Sequence, residues 1–247
     1  MSAIREAVIL MAGSGSRLRS SQKTLPKPLT PVLGRPLISY TFEALTRAGI
    51  TKIHVVVGYE SDRLTAAVTE LASPDLELSF VLNPEWQKQN GISLLTVAKN
   101  VSGNFVLTMS DHLFDSVIVD LLMKLAEPGV LNLAVDRKVY SIFDLGDAMK
   151  VQTRDDLVIT IGKDLQKYDA IDTGLFVCPL EMFAYLGRAK ENGDCSLADG
   201  VRLMAADKKV RAVDIGDAWW QDIDTVEMLQ HAEKHMAEES NTKRLTK

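Results

Sequence analysis

Residues 7 to 27, AVILMAGSGSRLRSSQKTLPK, constrain the fold more than any other stretch, because five apolar residues run straight into glycines and then into a group of cations. A short, unbroken apolar run reads as a strand buried on both faces. The loop behind it suits an anion. Gly13 and Gly15 lack the Cβ that keeps backbone N–H groups away from an approaching phosphate, and Ser14 and Ser16 add hydroxyl donors. Arg17 and Lys27 supply cations for phosphate oxygens, Lys27 standing in the rigid step Pro26-Lys27-Pro28.

Two better-known phosphate loops do not fit. The dinucleotide fingerprint needs a third glycine where Leu18 stands, and about 20 residues further on there is the Gly34-Arg35 turn instead of an acid for a ribose. The Walker A pattern fails because Lys23-Thr24 follows Gln22 and not glycine. Glycines alone would be mere turn punctuation; the cations beside them point to a ligand.

Apolar runs bounded by turns read as strands at 7–11, 53–58, 76–82, 105–110 and 130–135, with helical periodicity at 37–48, 62–71, 92–101 and 117–126 between them. The alternation predicts an α/β domain: a mainly parallel sheet sandwiched by helices, with ligands at the carboxyl ends of its strands. Strand-like stretches at 148–153, 157–161 and 170–178 follow with no helix among them. They predict a small antiparallel element flanking the sheet and bearing the second substrate. Helices at 180–190 and 196–207, a strand at 210–215 and a closing helix from 225 to about 238 complete the pattern. With 247 residues, 46% of them hydrophobic, and no repeat or Gly/Ser linker, one domain over 1–239 is expected, followed by a frayed polar tail at 240–247.

Charge and cysteine content narrow the partners. The net charge of −5 argues against a nucleic-acid surface, yet the first 50 residues hold seven Lys/Arg against two acids, so a small polyanion is drawn to the N-terminal segment. Two cysteines, Cys178 and Cys195, make no C-x-x-C pair and no disulfide framework, which suits a cytoplasmic protein. No basic-plus-apolar leader and no apolar stretch of ~20 residues is seen, so no membrane insertion is expected.

The stretch 105–111 is an apolar strand ending in a carboxylate, a place where α/β enzymes hold a cation beside a phosphate. Asp111 is therefore the first candidate metal ligand; Mg²⁺ needs few protein carboxylates when phosphate oxygens share it. Asp222 and Asp224, two apart after Trp219-Trp220, can face one side if extended and are the expected partners. Asp222 is favoured, because Asp224 with Glu227 three residues later also reads as a helix cap. His112 reads as a loop-shaping residue more readily than as a general base. His231 and His235 have i, i+4 spacing, but Ala232 replaces the glutamate of a zinc protease, so they read as a solvated helix face.

The G-x-G-[ST]-R-[LM] stretch with its Pro-Lys step resembles the signature of sugar-phosphate and alcohol-phosphate nucleotidyltransferases, with Leu10-Met11-Ala12-Gly13 where that family usually has Leu-Ala-Ala-Gly. The blocks Asn90-Gly91-Ile92-Ser93-Leu94, Met109-Ser110-Asp111-His112, Lys163-Asp164-Leu165 through Tyr168-Asp169-Ala170-Ile171-Asp172-Thr173-Gly174, and Asp222-Ile223-Asp224-Thr225 narrow the resemblance to inositol-1-phosphate cytidylyltransferases over residues 7 to about 230. It implies a GT-A-like nucleotidyltransferase fold and Mg²⁺ held by Asp111, Asp222 and Asp224. It also implies catalytic roles for Arg17, Lys27 and Asp111, with Met11, Ala12, Gly13, Ser14, Gly15, Ser16, Arg17, Lys27, Asn90, Gly91 and Ser93 on the nucleotide. Lys163 and the Asp172-Thr173-Gly174 turn would face the acceptor; Lys150 and Arg137 are further candidates for its phosphate.

The activity implied is the joining of CTP and an alcohol phosphate, inositol 1-phosphate first, to a CDP-alcohol and pyrophosphate. In several relatives the domain is fused to a membrane enzyme that consumes the CDP-alcohol, so a separate membrane transferase is the expected downstream partner. Two alternatives stay open at this point: another acceptor, phosphocholine or a hexose 1-phosphate, and a nucleotide-binding regulator without turnover.

Overall fold

Burial along the first strand, β1 (Glu6–Met11), alternates between two apolar clusters: Val8 and Leu10 point into one, Ala7, Ile9 and Met11 into the other. Strand geometry sends successive side chains to opposite faces, so an unbroken apolar strand must be covered twice. The computed structural model, which describes residues 4–19 and 25–245, bears this out in its neighbours: Phe105 and Leu107 join the first cluster and Val106 the second.

The elements after β1 are α1 (Ser16–Arg19), β2 (Pro31–Val32), β3 (Arg35–Pro36), α2 (Leu37–Arg47), β4 (Lys52–Val57), α3 (Ser61–Leu71), β5 (Glu77–Leu82), α4 (Asn90–Thr96), β6 (Phe105–Met109), β7 (His112–Phe114) and α5 (Val117–Leu125). Then come β8 (Leu131–Asp136), β9 (Lys150–Arg154), β10 (Leu157–Gly162), β11 (Ala170–Cys178), α6 (Glu181–Ala189), α7 (Leu197–Ala206), β12 (Val210–Asp214), β13 (Trp220–Asp222) and α8 (Val226–Leu245). Leu33 and Gly34 both have positive φ (46° and 79°), the geometry of a tight β2–β3 hairpin.

The main sheet runs β5-β4-β1-β6-β11-β8-β12-β10-β9. Strands β5, β4, β1 and β6 are mutually parallel, and β8 and β12 continue in the same direction. The antiparallel strands are not all to one side. β11 lies in the middle, antiparallel to both β6 and β8, while β9 and β10 form the expected hairpin at the edge. β11 is wholly apolar from Leu175 to Cys178 and buried on both faces, so the centre is where its burial is satisfied. β9 pairs with the start of β11 as well as with β10, which ties the hairpin to the sheet beside the carboxyl end of β8.

Two predicted helices differ in length. The one expected over 92–101 is α4, which stops at Thr96 and gives way to turns closed by Val97, Ala98 and Asn100 N–H groups on carbonyls three residues back. α8 continues past the expected end near 238 to Leu245. The Gln22–Thr24 stretch, Arg19's side chain, the side chains from Ser240 onward and the last two residues lie outside the described residues.

Candidate active site

The carboxyl end of β1 delivers the chain into Gly13-Ser14-Gly15-Ser16, and these residues with Ala12 line a cavity of about 400 Å³. Gly15 is required there by two constraints: its φ is +58°, and a Cβ on it would sit 2.6 Å from Lys27 Cβ. The lysine side chain thus lies across the loop backbone and is 7% exposed. Its ammonium donates to Asp111 Oδ2 and to Asp224 Oδ1, both at 2.5 Å.

A backbone ladder brings the late aspartates to Asp111. β7 turns back directly after the carboxyl end of β6 and pairs antiparallel with β13, Asp222 opposite His112, while Ile223 N–H donates to Asp111 O (2.8 Å). Asp224 does not cap the closing helix. Thr225 does, its Oγ1 accepting from Met228 N (3.3 Å), and the second oxygen of Asp224 takes Arg17 Nη2 (2.5 Å). On the far side of Asp111, His112 Nδ1 donates to Oδ1 at 2.7 Å, and the imidazole lies over the Trp220 ring.

Charges follow from these contacts. Burial opposes ionisation of Asp111, but Lys27 and His112 outweigh it and hold the carboxyl well below its ordinary range. Burial likewise opposes the Lys27 ammonium and the His112 imidazolium, and the carboxylates outweigh it, raising both. Asp222 is raised, by burial first, with the Asp224 and Asp111 charges adding and His112 opposing. Its carboxylate makes no hydrogen bond or ion pair among the described residues.

Asp111, Asp222 and Asp224 are the carboxylates that could share a hard cation with phosphate oxygens. Asp111, Asp222 and Asp224 line the same cavity, a lysine ammonium bridges two of them, and the third is a carboxylate whose charge is disfavoured by the other two, a cost that a divalent ion relieves. Among the described residues no group of three or more His, Cys, Asp and Glu is placed to hold a metal ion, so such an ion would need phosphate oxygens to complete its shell.

A second cavity, about 300 Å³, opens from the first and shares Arg17, Asn90, Met109, His112, Asp222 and Asp224 with it. Its walls add Lys163, Asp172, Gly174 and Asp147. Asp172 Oδ1 accepts from Gly174 N–H (2.7 Å), and burial pushes its carboxyl up to about 6 against that bond. Gly174, at φ +74°, presses on His112: a Cβ there would lie 2.4 Å from Nε2.

Several candidates are placed elsewhere. Met11 is buried on the opposite face of β1, with Ile9. Thr173 is fully buried and donates to Ala134 O (2.9 Å), because alternation along β11 gives the cavity Asp172 and Gly174 and turns the residue between them inward. Gly91 lies against α7, its Cβ position 2.7 Å from Cys195 O, a close-packing role. Lys150 donates to Lys163 O (2.5 Å) and covers Tyr168, outside both cavities. Arg137 pairs with Asp169 and Asp214, away from the cleft. His235 stacks on Trp219 at 4.4 Å and His231 Nδ1 pairs with Gln221 Oε1 at 2.7 Å, so neither simply faces water.

Asn90 and Ser93 do line the nucleotide-side cavity; Asn90 Oδ1 is taken by Leu197 N–H (2.8 Å), leaving its amide nitrogen, and Ser93 Oγ accepts from buried Asn83 (2.9 Å). Sequence reading passes over Lys88 on the wall of that cavity, and over Asp147, which pairs with Arg17 (2.9 Å) and Lys163. Asp147 is 130 residues from Arg17 and sits in no motif, so no local signal marks it.

The MobA-like NTP transferase domain matches residues 7–140. The chain is 35% identical, over 92% of its length, to the bifunctional IPC transferase and DIPP synthase of Thermococcus kodakarensis, and 33% identical, also over 92%, to the protein of that name in Rubrobacter xylanophilus. It spans about half the length of these curated relatives (50% and 51%). Among solved structures, the inositol-1-phosphate CTP transferase from T. maritima superposes with a TM-score of 0.85 at 26% identity, covering 96% of both chains. A UDP-glucose pyrophosphorylase (TM-score 0.79, 17% identity, 96% and 99% coverage) shares the fold.

Proposed function

Since the chain belongs to the MobA-like NTP transferase family, we propose that it is a cytidylyltransferase joining CTP and an alcohol phosphate, inositol 1-phosphate, to a CDP-alcohol and pyrophosphate. The names and extent of the similar proteins support the choice of substrates. The observation that carries the reading is the two-part cleft: a glycine-lined half, which holds Lys27 and Asp111, meets an acceptor-sized half at Arg17, His112, Asp222 and Asp224.

In this reading an oxygen of the acceptor phosphate attacks the α-phosphorus in line, its bond to the β-phosphate oxygen breaks, and pyrophosphate leaves. The loop from Gly13 to Ser16 and Arg17 hold the leaving group. Lys27, fixed by two carboxylates, offsets charge gathering on the α-phosphoryl oxygens. Asn90 and Ser93 serve the base; Lys163, Asp172 and Gly174 serve the acceptor. No general base is needed, because a phosphate monoester with a second pKa near ~6 is already ionised at neutral pH; His112 orients Asp111 instead. Asp111 and Asp222, with Asp224 second, would hold Mg²⁺, which when bound supplies charge neutralisation for the triphosphate.

No described helix is long and apolar enough to cross a membrane. We place the reaction in the cytoplasm and its product with a membrane-bound transferase activity that consumes CDP-alcohols. The test is pyrophosphate release across four nucleoside triphosphates and a panel of phosphorylated alcohols. CTP with inositol 1-phosphate is expected to lead; turnover of UTP with glucose 1-phosphate and none with CTP would overturn the proposal.

A further inference from the structure

A row of alternating charges runs through the whole cleft: His112, Asp111, Lys27, Asp224, Arg17, Asp147, Lys163. Each carboxylate lies between two cations and gives one oxygen to each. Asp111 and Asp224 do so inside the nucleotide half. Asp147 is different, since Oδ2 takes Arg17 Nη1 at 2.9 Å while Oδ1 takes the Lys163 ammonium on the acceptor wall. Its backbone is held as well: Asp147 N–H donates to Asp144 Oδ1 (3.3 Å) and Ala148 N–H to Asp144 O (3.1 Å). The two cations pull its carboxyl below the ordinary range, the Lys163 hydrogen bond leading and burial opposing.

A carboxylate among groups meant for two anionic substrates repels both of them, so it needs a compensating role. Long cationic side chains have many rotamers to lose when they are fixed on a substrate. A fixed partner removes that freedom beforehand and sets where each charge stands. We propose that Asp147 is a positioning residue that fixes the spacing between Arg17, on the leaving pyrophosphate, and Lys163, on the acceptor phosphate, and so aligns the two substrates with one another. This rests on the reading of the cleft given above. It acts through its two cations and touches neither reacting atom.

Solvent-exposed ion pairs hold their partners by a factor of about two to five each. Asp147→Asn keeps the shape and drops the charge; kcat/KM is expected to fall about tenfold, when measured for the nucleotide and again for the acceptor, while thermal stability stays within a few degrees. Asp147→Glu restores the carboxylate and should recover most of the loss for both. In a Lys163→Met background, Asp147→Asn should cost only the Arg17 share, about two- to fivefold. The inference is overturned if Asp147→Asn leaves either kcat/KM unchanged or raises it, if only one substrate is affected, or if Asp147→Glu rescues no better than Asn. No pyrophosphate release by the native protein from any substrate pair would instead sink the functional reading itself.

Discussion

Replacing Lys27 by Met tests the centre of the cleft with least disturbance, since the methylene stem that lies across Gly15 is kept and only the ammonium is lost. Two consequences follow. The first is stability: the ammonium is buried between carboxylates 2.5 Å away on either side, and breaking such a buried pair costs about 3–5 kcal/mol when it leaves a charge alone. Here neither acid is left alone, because Asp111 keeps His112 and Asp224 keeps Arg17. The expected loss is therefore below that range, about 2–3 kcal/mol, or a fall in Tm of about 4–12 °C for a chain of this size. The second is catalysis: removing one preorganised charge aimed at the transition state costs about 10²–10³ in kcat. Calorimetry and pyrophosphate release read the two separately. Turnover within fivefold of the native protein would refute the role of Lys27, and an unchanged Tm would refute the buried-pair argument even if turnover fell.

Two further outcomes are expected. Gly174→Ala adds a methyl 2.4 Å from His112 Nε2 at a position of φ +74°, so the imidazole must move and Asp111 loses its orientation; turnover should drop tenfold or more while nucleotide binding, read by calorimetry, changes less than threefold. Asp172→Asn keeps an oxygen for Gly174 N–H but removes a carboxyl whose burial pushes it up to about 6. A raised carboxyl pKa means that the folded state holds the proton more tightly. Its stabilising contribution is thus complete below about pH 4, where the unfolded chain titrates, and is lost as pH rises through 6. The variant should match the native protein in denaturant titrations near pH 4 and exceed it by about 1–3 kcal/mol at pH 8; equal stability at both pH values would show that the carboxyl is not desolvated.

The parts of the site legible in the sequence are those encoded by neighbouring residues. β1 followed by the glycine loop is readable because the unbroken apolar run, the missing Cβ atoms and the cations all lie within 21 residues. Asp111 is readable as the polar end of an apolar strand, and Asp222 and Asp224 as a pair. What the local pattern leaves open is partner choice: Asp224 followed by Glu227 has the composition of a cap, and only the fold shows that Thr225 takes that position while Asp224 reaches Lys27 and Arg17 across 197 and 207 residues. The side chains of Thr173 and Met11 point away from the cleft. Strand parity was available for both: in Asp172-Thr173-Gly174 the middle residue must face away from its neighbours, and Met11 shares the face of Ala7 and Ile9.

The place of β11 explains why the acceptor side was harder to foresee than the nucleotide side. A β-α-β rhythm places successive parallel strands side by side, so β1, β4 and β5 follow in order, and β6 then starts the other side of β1. An apolar strand that follows a hairpin can pair at either edge or insert, and pattern alone does not choose. Insertion between β6 and β8 has a chemical consequence. It runs β11 against β6, so that Asp172 and Gly174, early in β11, arrive beside the carboxyl end of β6, where Asp111 and His112 emerge. Had β11 lain at the edge with β9 and β10, Lys163 and Asp172 would line a separate surface and the two halves of the cleft would not meet. The central antiparallel strand is thus the feature of the fold that joins the glycine-lined cavity to a second one, as the proposed two-substrate reaction requires.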